Sequence, residues 1–208
     1  MRVYHFINAT HGINVIALKR IRVSRFGHLN DLYELLAANT SDPKDREALD
    51  QFKAQIDQTK GIICFSGSWN NPLLWGHYAD KHKGMALGFD IPDDLMFKVL
   101  YTNNRTKINF DLKKLQILDG MNVLDKLIRT KFIDWRYEDE RRMYVDLTQQ
   151  NEDGNYFVDF SNDLVLREVI LGVKCEIPVA RVNQLLGLFT GSVKVKNARM
   201  ATKTFEVI

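Results

Sequence analysis

A chain of 208 residues with 45% hydrophobic side chains can bury a real core, which excludes a disordered profile and allows one large domain or two small ones. Its 29 Lys and Arg against 26 Asp and Glu leave a net charge of +3, a balance that does not mark a nucleic-acid binder, whose cations would cluster. No apolar run approaches the ~20 residues needed to cross a bilayer and no signal-peptide pattern precedes the first strand, so the expectation is a soluble protein of a reducing cytoplasm with no membrane partner.

Val3 to Ile7 reads as a strand entered directly from the first residues. Asn8 or Thr10 can cap a helix running to about Leu18. Arg20 to Arg25 alternates basic with apolar and predicts a second strand, with Arg20 and Arg22 on a solvated face. Gly27 to Asp31 is a loop. Ser41-Asp42-Pro43 starts a helix carrying Leu49, Phe52 and Ile56 on one stripe. Gly61 to Ser66 is an apolar strand, Asn71-Pro72 opens a short helix, and Met85 to Phe89 and Phe97 to Tyr101 follow as strands. Residues 110–133 show helical spacing through Leu112, Leu115, Leu118, Leu124, Leu127, Ile128 and Phe132, broken near Asp119-Gly120. Arg142 to Leu147, Tyr156 to Phe160 and Glu168 to Val173 read as strands, with Gln149 to Asn155 as a hairpin loop. Pro178 starts a helix through Val182 and Leu185, and Val193 to Val195 and Phe205 to Val207 suggest closing strands. Helices and short strands without strict alternation predict a single α+β domain over residues 1–208. Cys64 and Cys175, each flanked by apolar strand residues, are expected to be small buried hydrophobes.

Four clusters can carry chemistry. In Tyr4-His5-Phe6, strand geometry puts His5 on the face opposite Tyr4 and Phe6. In His28 to Glu34, Asn30 and Asp31 either hold a tight turn or point a polar edge into a site. The stretch from Cys64 to Asp90 concentrates two Trp, one Tyr and two His, amphipathic groups suited to the wall of a pocket for a flat polar ligand. Within it Trp75, Tyr78 and Ala79 share a helix face by their offsets, either as pocket wall or as core. His77 and His82 stand five apart, not the four that a helical ligand pair needs, so a metal is disfavoured. Ser66 ends a strand but lacks a G-x-S-x-G elbow. In Trp135 to Arg142, an extended backbone would put Glu138 and Glu140 on one face, where one carboxyl would titrate high unless Arg136 or Arg142 pairs it. The alternative is a surface ion-pair ladder. Gly84 and Gly88 lack the following residues of a phosphate loop and fit close strand packing instead.

Taken together, the motifs resemble the family labelled domain of unknown function 2971. They are Tyr4-His5-Phe6, Asn30-Asp31-Leu32-Tyr33-Glu34, Cys64-Phe65-Ser66, Trp75 to Gly84 with Gly88-Phe89-Asp90, and Trp135 to Arg142, with Leu32 where that family usually has Pro. A His on the first strand, a Ser ending a middle strand, an aromatic helix and a late Glu also resemble the ADP-ribosyltransferase superfamily, though the aromatic helix is not standard there. That second resemblance implies a split mixed or antiparallel sheet flanked by helices, with NAD bound in its cleft as substrate. It implies that His5 holds the adenine-side ribose, Ser66 supports the cleft, and Tyr78 or Trp75 stacks on nicotinamide. Glu140 would bond the nicotinamide ribose and stabilise the oxocarbenium-like transition state.

The expected catalytic residues are therefore Glu140, Glu138 and His5. The expected nucleotide-binding residues are Tyr4, His5, Asn30, Asp31, Ser66, Trp75, Tyr78, His82 and Arg142, with no metal. The implied activity is ADP-ribosyl transfer to a protein or nucleic-acid acceptor, or NAD hydrolysis, as in a bacterial toxin or a phage-defence effector. The alternatives are a nucleotide-sensing module without turnover and a nucleic-acid-processing protein using the Arg20, Arg22 and Arg25 face.

Overall fold

The computed structural model describes residues 1–39, 41–105, 126–187, 189 and 191–208. In chain order it shows β1 (Arg2–Ile7), α1 (Ala9–Leu18), β2 (Arg20–Val23), α2 (Pro43–Thr59), β3 (Lys60–Ser66), α3 (Pro72–Tyr78), β4 (Met85–Asp90) and β5 (Phe97–Lys98). Then come β6 (Leu100–Thr102), β7 (Thr130–Phe132), β8 (Glu140–Asp146), β9 (Tyr156–Asp159), β10 (Val165–Leu171), α4 (Val179–Leu186) and β11 (Lys194–Asn197). The fold is α+β, as expected: a mixed seven-stranded sheet with helices on its faces, in the order β11-β10-β4-β1-β3-β8-β5. Within that sheet every pairing is antiparallel except that of β10 with β11. Two small sheets, β2 with β9 and β6 with β7, lie outside it.

Local chemistry places the helices. Asn8 accepts from the His11 N–H at 2.8 Å, Asp42 from Lys44 at 2.8 Å and Asn71 from Leu73 at 3.0 Å, each satisfying a first-turn donor. Pro43 and Pro72 occupy the first helical positions, where a missing N–H costs nothing. Central strand β4 is buried from Met85 to Phe89, so its run is continuous rather than alternating. One face of the sheet packs Val3, Ile63, Leu87 and Val169 against Val15 and Ile16 of α1 and Val182 of α4. The other packs Ala86 and Ile170 against Trp75 and Ala79, with Ala198 and Val207.

The seam between β1 and β3 positions the site. β1 pairs with β4 along its whole length, from Arg2↔Asp90 to Ile7↔Met85, but meets β3 only at Tyr4↔Ser66. Beyond that pair the strands part. The vacated edge of β3 is taken by Ser24, just past β2, which exchanges two 2.8 Å bonds with Ile62. Between these contacts the His5 side chain takes over a ladder bond, with Nδ1 at 2.9 Å from the Cys64 carbonyl. A carbonyl only accepts, so this contact puts the proton on Nδ1.

Several expectations are corrected. The stretch read as Phe97 to Tyr101 divides, because β5 joins the main sheet and β6 joins β7. Residues 106–125, covering most of the expected helices at 110–133, lie outside the described residues, and Thr130–Phe132 is a strand rather than helix. Ile133–Glu138 is a 3₁₀ helix, not an extended segment. Gln149 to Asn155 links β8 to β9, which belong to different sheets, so it closes no hairpin. Phe205 is 97% exposed, and Phe205 to Val207 forms no strand: its pairing is an isolated Met200↔Val207 bridge, with the Val207 N–H donating to the Asn70 carbonyl at 2.8 Å. Cys64 and Cys175 are free and half-buried. Among the described residues no helix is long and apolar enough to cross a membrane.

Candidate functional site

A cavity of about 270 Å³ opens at the β1/β3 seam. β1 supplies Tyr4 and His5, the end of β3 supplies Ser66, and the end of α3 supplies Tyr78. β8 brings Glu140 and Arg142 from the other side, the turn before it brings Glu138, and β7 brings Lys131. Asn30 and Glu34 come from the loop after β2.

Glu138 and Glu140 reach the same cation from different backbones. Glu138 ends the 3₁₀ helix, Asp139 turns the chain at φ 43°, and Glu140 begins β8. That turn is pinned: the Gly67 N–H donates to the Asp139 carbonyl at 2.9 Å, and Ser66 Oγ donates to the Glu138 carbonyl at 2.6 Å. Lys131 Nζ then lies 2.6 Å from Glu138 Oε2 and 3.2 Å from Glu140 Oε2. Arg142 donates through Nε to Glu140 Oε1 at 2.9 Å, and its two Nη atoms grip Glu34 at 2.5 and 2.9 Å in a two-point pair. At the cavity mouth Tyr78 Oη donates to Glu138 Oε1, and Asn30 Nδ2 donates to Tyr78 Oη at 2.9 Å.

The result is one chain of bonds, Glu34–Arg142–Glu140–Lys131–Glu138–Tyr78–Asn30, charge-assisted as far as Tyr78 and ending at the exposed Asn30. Three carboxylates face two cations, all five at least nine-tenths buried. Glu138, Glu140 and Arg142 are therefore no surface ladder, although in the same segment Arg141 pairs the partly exposed Asp139 at 2.8 Å. Isolated charges at such depth would cost several kcal/mol each, so the groups persist because they compensate one another.

Their environments differ. Burial opposes ionisation of Glu140, but Arg142 and Lys131 outweigh it and hold the carboxyl down at about 2. Burial, opposed by Lys131 and aided by Glu140, pushes the Glu138 carboxyl up. Of the two, Glu138 therefore keeps a proton to higher pH. Burial lowers the His5 imidazole, which favours its neutral form. It raises the Cys64 thiol, which makes a poor nucleophile. Burial and the Glu138 charge raise the Tyr78 phenol, which stays a donor.

A pH dependence follows. Because Glu140 titrates lower folded than its ordinary 4.5, the stability it contributes is complete above about 4.5 and is lost as pH falls toward 2. Melting followed by circular dichroism is expected to fall steeply across that window in the native protein and less steeply in Glu140→Gln. Equal slopes would remove Glu140 as the source.

Of the residues expected from sequence, Tyr4, His5, Asn30, Ser66, Tyr78, Glu138, Glu140 and Arg142 line this one cavity. Three do not. Trp75 is wholly buried beneath α3, edge-on to Phe6 at 5.2 Å, with its Nε1–H donating to the Trp69 carbonyl. Because α3 ends at Tyr78, the phenol turns toward the cavity while Trp75 and Ala79 enter the core. Asp31 accepts from the Tyr33 N–H at 2.9 Å and so holds its own turn. His82 sits in a positive-φ turn, where its main chain bonds Trp75 and Lys174. Lys131 was missed because it falls at the end of a stretch with helical spacing. The signal for it was the pair of carboxyls itself, which demands a second cation besides Arg142. Glu34, Arg22, Ser24 and His28 also line the cavity.

A family model described as a protein of unknown function, DUF2971, matches residues 74–143. The matched stretch runs from α3 into β8 and holds Tyr78, Lys131, Glu138, Glu140 and Arg142, which supports the resemblance to that family. No curated protein and no solved structure matches the chain.

Proposed function

We propose that the cavity binds NAD and breaks the bond between nicotinamide and its ribose, passing ADP-ribose to water or to an acceptor. The observation that carries this reading is a carboxyl group, Glu140, held by Arg142 and Lys131 in the same hollow as His5, Ser66 and Tyr78. As the ribosyl C1′–N bond breaks, its electron pair leaves with nicotinamide and positive charge develops on the ribose. A fixed anion beside that ribose stabilises the transition state more than the ground state. The incoming hydroxyl forms the new C–O bond and releases its proton, and Glu138 is the group suited to receive it. His5 presents a neutral ring to a ribose hydroxyl. An enzyme of this kind would serve as a bacterial toxin or as a phage-defence effector.

The test is to incubate the purified chain with NAD and follow free nicotinamide. Release is expected. An NAD-induced thermal shift without release would make the protein a sensing module, and neither shift nor release would end the reading.

A further inference from the structure

A second hollow of about 530 Å³ adjoins the first, and His5, Arg22, Ser24 and His28 line both. The pattern of β2 explains its character. Ile21 and Val23 are buried in the core, so Arg20 and Arg22 project to the opposite side, along the second hollow. Arg25, the third basic residue of that stretch, is neutralised by Asp57 at 2.9 Å. Arg22 is exposed and, among the described residues, has no ion-pair partner. The Arg20 guanidinium lies over the Phe157 ring, 4.0 Å from its centroid, and its buried Nε–H has no acceptor among the described residues. The one carboxylate on this hollow among the described residues is Asp153, to which Asn151 donates at 3.3 Å.

The joined hollows therefore carry opposite charge at their two ends: carboxylates at the seam, guanidiniums along β2. We infer that the second hollow holds the diphosphate of a dinucleotide, with Arg22 and Arg20 as its cations and His5 at the junction. The inference rests on the NAD reading of the carboxylate end. Guanidinium is the side chain best shaped for two-point bonding to phosphate oxygens. Two cations in a bounded hollow fit a diphosphate, whereas a nucleic-acid backbone needs a longer basic track.

The experiment is calorimetric titration of ADP-ribose and ADP into native protein, Arg22→Gln and Arg22→Glu, with the melting temperature of each unliganded protein as control. Both ligands are expected to bind the native protein. Affinity should fall about tenfold or more in Arg22→Gln and further in Arg22→Glu, at unchanged melting temperature. Equal affinities in all three proteins, or no binding to the native protein at millimolar ligand, would overturn the inference. So would a short single-stranded oligonucleotide that binds and is not displaced by ADP. The two readings fail separately. Arg22-dependent ADP-ribose binding without nicotinamide release ends the catalytic reading alone. Nicotinamide release with an unchanged KM for NAD in Arg22→Gln ends this one alone.

Discussion

Glu140→Gln is expected to lower the rate of nicotinamide release by about 10²- to 10³-fold while the protein stays folded. The side chain keeps its shape and one acceptor oxygen but no longer offers a full negative charge to the ribosyl cation. The fold survives because the remaining charges still pair: Arg142 keeps its two-point contact with Glu34, and Lys131 keeps Glu138. Steady-state kinetics and a melting curve on the same preparation separate the two effects. A Glu140→Gln enzyme as fast as the native one would remove Glu140 from the chemistry. Collapse of the melt would mean that this carboxylate is chiefly structural.

Arg142→Met is expected to destabilise the protein by about 3–5 kcal/mol, which for a chain of this size lowers the melting temperature by roughly 10 °C or more. Arg142 is fully buried and bonds Glu34, Glu140 and the Ile128 carbonyl. Its removal leaves Glu34 without an ion-pair partner among the described residues, and leaves Glu140 with Lys131, which it shares with Glu138. Adding Glu34→Gln to the same variant should recover part of the loss, since the two residues are directly coupled. Denaturant titration measures both. A loss below about 1 kcal/mol would show that water or a shift of the chain solvates the acids, and the buried network would cease to be a stability element.

What could be read from sequence was what short-range chemistry decides. Asn8, Asp42-Pro43 and Asn71-Pro72 start helices because cap and ring act within a turn, and all three helices begin there. The apolar run at Met85 to Phe89 announced a strand, and the structure places it inside the sheet. Trp75 and Tyr78 show the limit, because both are amphipathic aromatics three residues apart and only the end of the helix sends one to the core and the other to the cavity. Glu138 and Glu140 were expected to face the same way along a strand. They converge instead through a 3₁₀ helix and a left-handed Asp139, a backbone that residue periodicity does not encode. Lys131 stands on a strand of three residues whose partner, β6, lies 30 positions earlier by register. Pairing at that range leaves no local pattern.

The seam between β1 and β3 has a mechanical meaning. Fastened by the single rung Tyr4↔Ser66 and the His5 imidazole, the sheet is two leaves, one of four strands and one of three. A molecule lodged between them works as a rivet. Its binding energy adds to the force holding the leaves together, and amide exchange should slow along the facing edges of β1 and β3 before it changes in β10.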